Sequence, residues 1–309
     1  MSTIGALPTD GLVDTGAVDP DLGGTTLDQV RKEQRTLLFR SPGFIVGVLI
    51  LFIWILASIW PDLLATWGPK ETVRTDAGEA LRRTSPDGTA WFGTDTLGRD
   101  VWARVVHGAR PIMIAAPLST LLATIIGTLL GLYTGYFRGW IDEIISRILE
   151  AILSIPSILL AIVIVFTFGP TQPVIIGTIA FLFIPPVART VRAATLSESQ
   201  LDYVTAARVR GESSLFTITR EIFPNIVGVV VVEFTVRLGY AVFTLATLAF
   251  LGLSGGNVTD ANWGRDVANN YEQIVNNVWW STIFPALAIA SLVIAVNLLA
   301  DSVEQASKS

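Results

Sequence analysis

The chain has 309 residues, of which 51% are hydrophobic and only 15% charged, and its mean hydropathy is +0.58. Soluble globular chains carry about 25% charge, so this composition excludes an ordinary soluble enzyme and requires many apolar side chains to face lipid. Cysteine is absent and His107 is the only histidine, which excludes a disulfide framework, a Cys/His zinc site and any thiol nucleophile. A net charge of −5 without a Lys/Arg-dense run argues against a nucleic-acid partner.

The chain begins with an acidic stretch, carrying Asp10, Asp14, Asp19, Asp21 and Asp28 before its first basic residue. Residues 1–25 read as a disordered cytosolic tail, too polar to order itself. A signal peptide would need a basic start followed closely by an apolar core, and the first apolar run opens only near Phe44. Thr26-Leu27-Asp28-Gln29 fits a capping box and predicts a short cytosolic helix within 26–43, broken at Ser41-Pro42.

The apolar runs that can cross a bilayer are 44–60, Pro111 to Tyr136, Ala151 to Phe168 with a polar lead-in from Ile141, Val174 to Val187, Ile226 to Leu253, and Trp279 to Ala300. In lipid every backbone amide and carbonyl needs an internal partner, so runs of this length are helices. The expected fold class is therefore an all-α membrane protein with six transmembrane helices. Between the first and second lies a segment, 61–110, expected on the extracytoplasmic side. A five-helix core follows over 111–301, with a polar cytosolic loop at 189–224, and 302–309 form a cytosolic tail.

Orientation follows from Lys and Arg in the short loops. Arg138 and Arg147 lie between spans two and three, and Arg189, Arg192, Arg208, Arg210 and Arg220 between four and five. The loop between three and four has none, and that between five and six has only Arg265. Both termini are thus expected in the cytosol. The basic residues of 61–110 run against this, but long translocated segments obey the rule poorly. Trp60, Trp67, Trp279 and Trp280 are then expected at the outer interface.

Gly127, Gly131 and Gly135 recur every four residues along one face of span two, which lets another helix approach closely; this reports bundle packing. Glu143 and Arg147 stand at i,i+4 in a polar helix start that also holds Asp142 and Glu150. Pro156 and Pro185-Pro186 are expected to interrupt spans three and four. In the cytosolic loop, Leu201 to Arg210 contains no breaker and suits a short helix including Asp202 and Tyr203. Gly211 supplies its C-terminal turn, and Pro224 opens the next helix. Small residues Ala206 and Ala207 leave a low surface that a partner could grip, which would make the loop a lever on two membrane helices; a bare solvated connector is the alternative.

Glu233 and Arg237 fall inside span five at i,i+4. Charges at that depth pair or face a cavity, so they either hold the bundle as an internal ion pair or line a translocation path. His107 reads as a packed interface residue. Asp95, Arg99, Asp100 and Arg104 read as surface and intersubunit ion pairs, with contact to an external partner as the alternative.

At this point the sequence resembles the permease subunits of bacterial ATP-binding-cassette importers, whose EAA loop has the form Glu-Ala-Ala, three residues, Gly, nine residues, Ile-x-Leu-Pro. Thr205-Ala206-Ala207, Gly211 and Pro224 stand at that spacing, with Thr205 in place of the Glu, Glu221 of the Ile and Phe223 of the Leu. Thr205 removes the carboxylate that a salt bridge from that position would need. The stretches from Trp91 to Arg104, Gly108 to Arg110, Pro186 to Ala193 and Leu248 to Leu253, and the pair Trp263-Gly264, are similar to C-type permeases of dipeptide, oligopeptide and nickel importers. The likeness runs from about Arg40 to the end.

The resemblance implies a type I importer permease in the cytoplasmic (inner) membrane that is itself no enzyme. It also implies a second homologous permease subunit, two ATP-binding-cassette ATPase domains gripping the EAA loop through Asp202, Tyr203, Thr205, Ala206, Ala207, Gly211 and Pro224, and an extracytoplasmic substrate-binding protein. ATP and Mg would sit on the ATPases. Consistently, Lys32, Lys70 and Lys308 are the only lysines and each follows a non-glycine, so the chain has no Walker A loop. The implied cargo is a di- or oligopeptide, with a nickel chelate or another small solute as the alternative. A secondary transporter, often built from internal repeats, fits less well because no repeat is evident. A membrane scaffold or protease is the remaining class.

Overall fold

The computed structural model describes residues 41–257 and 259–308; the acidic tail at 1–25 and most of the helix expected within 26–43 lie outside them. Helix α1 (Pro42–Ile59) starts where Ser41 Oγ accepts the Phe44 amide at 3.1 Å and Pro42 takes the first helical turn. Ser41-Pro42 is therefore the start signal of the first span.

Helix α2 (Val101–Tyr136) begins at Val101 instead of the expected Pro111, because Asp100 is a strong cap whose carboxylate accepts the Trp102 and Ala103 amides at 3.2 and 3.1 Å. Burial raises the Asp100 carboxyl above its ordinary value against the pull of those two amides. The helix contains 36 residues, including Pro111 and Pro117, and at ~1.5 Å per residue it outreaches a ~30 Å hydrocarbon core. Part of the segment expected as extracytoplasmic, 101–110, is thus the first part of this helix.

The expected third span is two helices, α3 (Trp140–Leu153) and α4 (Ser157–Phe168), bent by 90°. Pro156 lies at the bend; it lacks an amide and its ring would clash with the carbonyl one turn back. Helix α5 (Gln172–Glu198) runs through Pro185-Pro186 without a break, contrary to the interruption expected there. It packs along much of its length against α2, and such neighbours support a helix that has lost backbone bonds.

The helix continues past Val187 to Glu198, and helical backbone resumes at Ser214. The loop expected over 189–224 therefore contracts to 199–213, around the short helix α6 (Asp202–Val209). Hydropathy marks where a helix leaves apolar surroundings, not where it ends. Beyond α6, Ser214–Phe216, a π-helical turn Thr217–Ile222 and α7 (Phe223–Phe250) form one stretch of 37 residues. Pro224 is in the first turn of α7, where a proline ring is accommodated and the wider π turn just before it relieves the clash one turn back. Helix α8 (Trp263–Asn270) precedes α9 (Trp280–Lys308), which stays helical through most of the expected tail at 302–309. Among the described residues, five helices are long and apolar enough to cross a membrane, or six if α3 and α4 make one span.

The centre of the bundle is the seam between α2 and α5. A Cβ placed on Gly127, Gly131 or Gly135 would lie 2.8, 2.7 or 2.6 Å from the Cβ of Val187, Val191 or Thr195. No real side chain fits such a gap, so the glycines set the distance between the helices. Helix α1 seats on α9 through Gly47, close to the Ala295 carbonyl, and through Trp54, whose indole N–H donates to Ser291 Oγ at 3.0 Å.

Residues 61–100 cover one end of the bundle. Trp102 donates to the Leu64 carbonyl at 2.8 Å, Trp263 to that of Val105 at 2.7 Å and Trp280 to that of Thr94 at 3.0 Å. Phe92 stacks on Phe284 with centroids 3.8 Å apart. Trp280 is only 6% exposed, so it is a core residue of this cap and not an interfacial anchor as expected; Trp60 and Trp279 are exposed.

The seam gives a differential test. Gly131→Ala is expected to destabilise the protein by about 1–3 kcal/mol through overpacking. Gly177→Ala, on the exposed face of α5 with nothing within 4 Å of its Cβ position, should stay within about 1 kcal/mol of wild type. Thermal unfolding in detergent reads both.

Candidate functional site

The sequence-derived candidates fall at three places. At the end opposite the cap, α6 lies across the ends of α2, α5 and α7. Its inner face is Val204 and Ala207, both fully buried, and Val204 clusters with Leu132, Val187, Val191, Ile218 and Ile222. Its outer face presents Asp202, Thr205, Ala206 and Val209, the last 83% exposed, with Leu201, Leu215 and Phe216 exposed beside it. Ala207 is therefore not part of a grippable surface; helical periodicity turns it inward with Val204.

Three devices fix α6 in place. Gly211, with φ of +80°, ends it: the Gly211 amide donates to the Arg208 carbonyl at 3.0 Å and the Glu212 amide to that of Ala207 at 3.2 Å. This pairing is a Schellman turn, which needs a left-handed residue and so favours glycine. The Arg208 guanidinium lies 4.8 Å from the Tyr136 ring centroid, at the end of α2. The Tyr203 hydroxyl donates to Glu198 Oε1 at 2.6 Å on α5 and accepts from Asn225 Nδ2 at 3.0 Å on α7. Burial and the neighbouring Glu198 carboxylate push that phenol up to about 12. Near the same end, Arg192 binds Asp142 through two bonds of 2.8 Å, tying α5 to α3. Arg147 pairs with Glu150 at 3.1 Å, not with the expected Glu143.

Mid-bundle, Glu233 and Arg237 form an ion pair, Oε2 to Nε, at 3.1 Å. They differ in what else they face. Arg237 lines a cavity of about 630 Å³ between α4, α5 and α7, and Glu233 does not. Tyr240, Thr244 and Thr247 line the same cavity. With Glu233 and Arg237 they occupy i, i+4, i+7, i+11 and i+14, a polar stripe along one face of a mostly apolar helix. Sequence reading found only its charged pair, although the spacing of the other three was visible.

The third place is the capped end. Asp95, Arg99, Asp100 and Arg104, expected to form surface and intersubunit ion pairs, are buried. Asp95 accepts the Leu97 and Arg99 amides at 2.9 Å and the Arg99 Nε at 2.7 Å. Arg104 donates to Asp266 on α8 and to the carbonyls of Pro69, Thr259 and Asp260, at 2.9, 3.3 and 3.2 Å. Burial drives the Asp266 carboxyl up while Arg104 pulls it down. Asp260, bonded to Lys70 at 2.7 Å, is held below the ordinary carboxylate range by that ammonium. These side chains point into the cap because they neutralise one another, which a sequence cannot show until Asp266 is placed opposite Arg104. His107 is bonded within it: its Nδ1 donates to the Ala103 carbonyl at 2.9 Å, and Nε2 lies 3.1 Å from Asp62 Oδ1.

Residues 127–309, which include the seam, α6 and the polar stripe, match the family described as binding-protein-dependent transport system inner membrane component. The chain is similar to the dipeptide transport system permease protein of Escherichia coli K12, 38% identical over 86% of this chain and 89% of that one. It is 34% identical to the dipeptide transport system permease protein of Alkalihalophilus pseudofirmus, over 85% of this chain and 84% of that one. It is 32% identical to the di/tripeptide transport system permease protein of Pseudomonas aeruginosa, over 86% and 88%.

Because the Tyr203 phenol is raised above its ordinary value of 10.0, its bond to Glu198 contributes fully below that pH and is lost as pH climbs towards about 12. Tyr203→Phe is expected to cost about 1 kcal/mol. The gap between variant and wild type in thermal unfolding should be flat from about pH 6 to 9 and close only above about pH 10.

Proposed function

Since the chain belongs to the family of binding-protein-dependent transport system inner membrane components, we propose that it forms one half of the membrane pore of an ATP-driven importer of di- and oligopeptides. The other half is a second homologous permease. Two ATP-binding-cassette ATPases dock on the α6 end, which faces the cytosol together with both termini. An extracytoplasmic binding protein delivers peptide to the capped end, at the outer face of the cytoplasmic membrane. ATP and Mg are held by the ATPases; the absence of a Walker A lysine supports this division.

One observation carries the reading: α6 buries Val204 and Ala207 in the bundle and leaves Ala206 and Val209 exposed beside Asp202 and Thr205 on its outer face. A helix so exposed fits a partner's cleft. It is also bonded to α5 through Tyr203–Glu198, to α7 through Tyr203–Asn225 and to α2 through Arg208–Tyr136. Closure of the ATPases on ATP would therefore move three membrane helices together, exchanging an inward-facing cavity for an outward-facing one. The polar stripe of α7 is the wall past which the peptide moves, since polar groups at that depth face a cavity or a partner.

Val209→Asp tests the docking. The substituted side chain stays in solvent, so the permease should fold, while ATPase affinity is expected to fall by about 2 kcal/mol or more and ATP-dependent dipeptide uptake should be lost. Copurification of the ATPases with the variant at wild-type yield contradicts the reading.

A further inference from the structure

The cavity between α4, α5 and α7 is walled on two sides by apolar groups such as Ile158, Leu182 and Phe183, yet it contains a guanidinium. Arg237 is not exhausted by its partner. Only its Nε reaches Glu233, at 3.1 Å, and among the described residues no protein acceptor is bonded to either Nη. Tyr240, one turn on, lies beneath the guanidinium at 5.6 Å from its ring centroid. The side chain is thus held at its Nε edge by Glu233 and on one face by an aromatic ring. The Nη edge is left with unused donors, in the shape that receives a carboxylate. Further along the stripe, the Thr244 and Thr247 hydroxyls donate back to the Tyr240 and Phe243 carbonyls at 2.8 and 2.9 Å, so their oxygens offer only lone pairs to the cavity. The wall therefore presents donors at one position and acceptors at the next turns, the order a peptide's carboxylate and amino groups require.

We propose that Arg237 is a carboxylate-binding position in the transport cavity: its Nη groups receive the C-terminal carboxylate of the passing peptide, and Glu233 positions the guanidinium through Nε. An apolar membrane interior disfavours an unpaired arginine, and the Glu233 pair keeps the empty site near neutral. When peptide arrives, its carboxylate is solvated by the Nη edge without Glu233 being displaced. This inference rests on the peptide-importer reading and adds the ligand group and the atoms that bind it.

The test uses the whole assembly, this chain with its companion permease, ATPases and binding protein, in proteoliposomes. The probes are alanyl-phenylalanine and its C-terminal amide, each at a concentration that saturates the binding protein. The expected wild-type result is ATP-dependent uptake favouring the acid over the amide by roughly tenfold or more, the margin of a charge-assisted bidentate bond. Arg237→Gln should bring that ratio close to one, and Arg237→Lys, which keeps charge but not the fork, should fall between. Should Arg237→Gln fail to assemble, Arg237→Lys decides alone. A wild-type ratio that persists in Arg237→Lys, or equal wild-type uptake of acid and amide, overturns the carboxylate site while leaving the importer reading standing. No wild-type uptake of either probe with ATP present overturns the importer reading and this inference with it.

Discussion

The close approach of α2 to α5 governs the rest of the structure. In lipid there is no hydrophobic gain from pressing one apolar helix on another, so association depends on van der Waals contact at short range. Gly127, Gly131 and Gly135 supply it by admitting Val187, Val191 and Thr195 to distances that no Cβ would permit. Each of the two helices so joined also contributes to the α6 end of the molecule. Helix α2 runs from the Asp100 cap to Tyr136 beneath Arg208, and α5 ends at Glu198, which holds Tyr203.

Polar chemistry is placed where that seam needs ends. At one end, Asp95–Arg99 and Arg104–Asp266 fold the segment 61–100 and α8 onto the bundle, with tryptophan N–H groups satisfying backbone carbonyls beside them. At the other, the Schellman turn at Gly211 and the Tyr203 bonds seat α6 so that half of it is core and half is surface. Between them, α7 carries the Glu233–Arg237 ion pair, and its arginine faces the cavity. The structure thus joins a rigid connection between its two ends, a half-exposed helix at one of them and a polar stripe facing a cavity between them.

Much of this was legible in the residues. The apolar runs located the spans, the glycine spacing marked the seam, and the breaker-free run from Leu201 to Arg210 with Gly211 after it marked the short helix α6. What escaped was whatever depends on a distant partner. Asp266 lies far along the chain from Arg104, so the buried character of 95–104 could not be read locally. Pro156 and Pro185-Pro186 look alike in sequence, yet only the first falls at a break, because α5 is packed against α2 where α3 and α4 have few neighbours. Helix ends were misplaced wherever polar residues continue a helix beyond apolar surroundings, as from Arg189 to Glu198. Ala206 and Ala207 are adjacent in sequence but lie on different faces of α6.

The outer face of α6 is proposed above as a cytosolic handle held by the ATPases, and a single thiol placed there tests it. The chain contains no cysteine, so Ala206→Cys creates a single reactive thiol on that face. A membrane-impermeant maleimide should leave this thiol unlabelled in intact cells, label it in inverted vesicles stripped of the ATPases, and be blocked once the ATPases are restored. Labelling in intact cells, or labelling undiminished by bound ATPases, contradicts it.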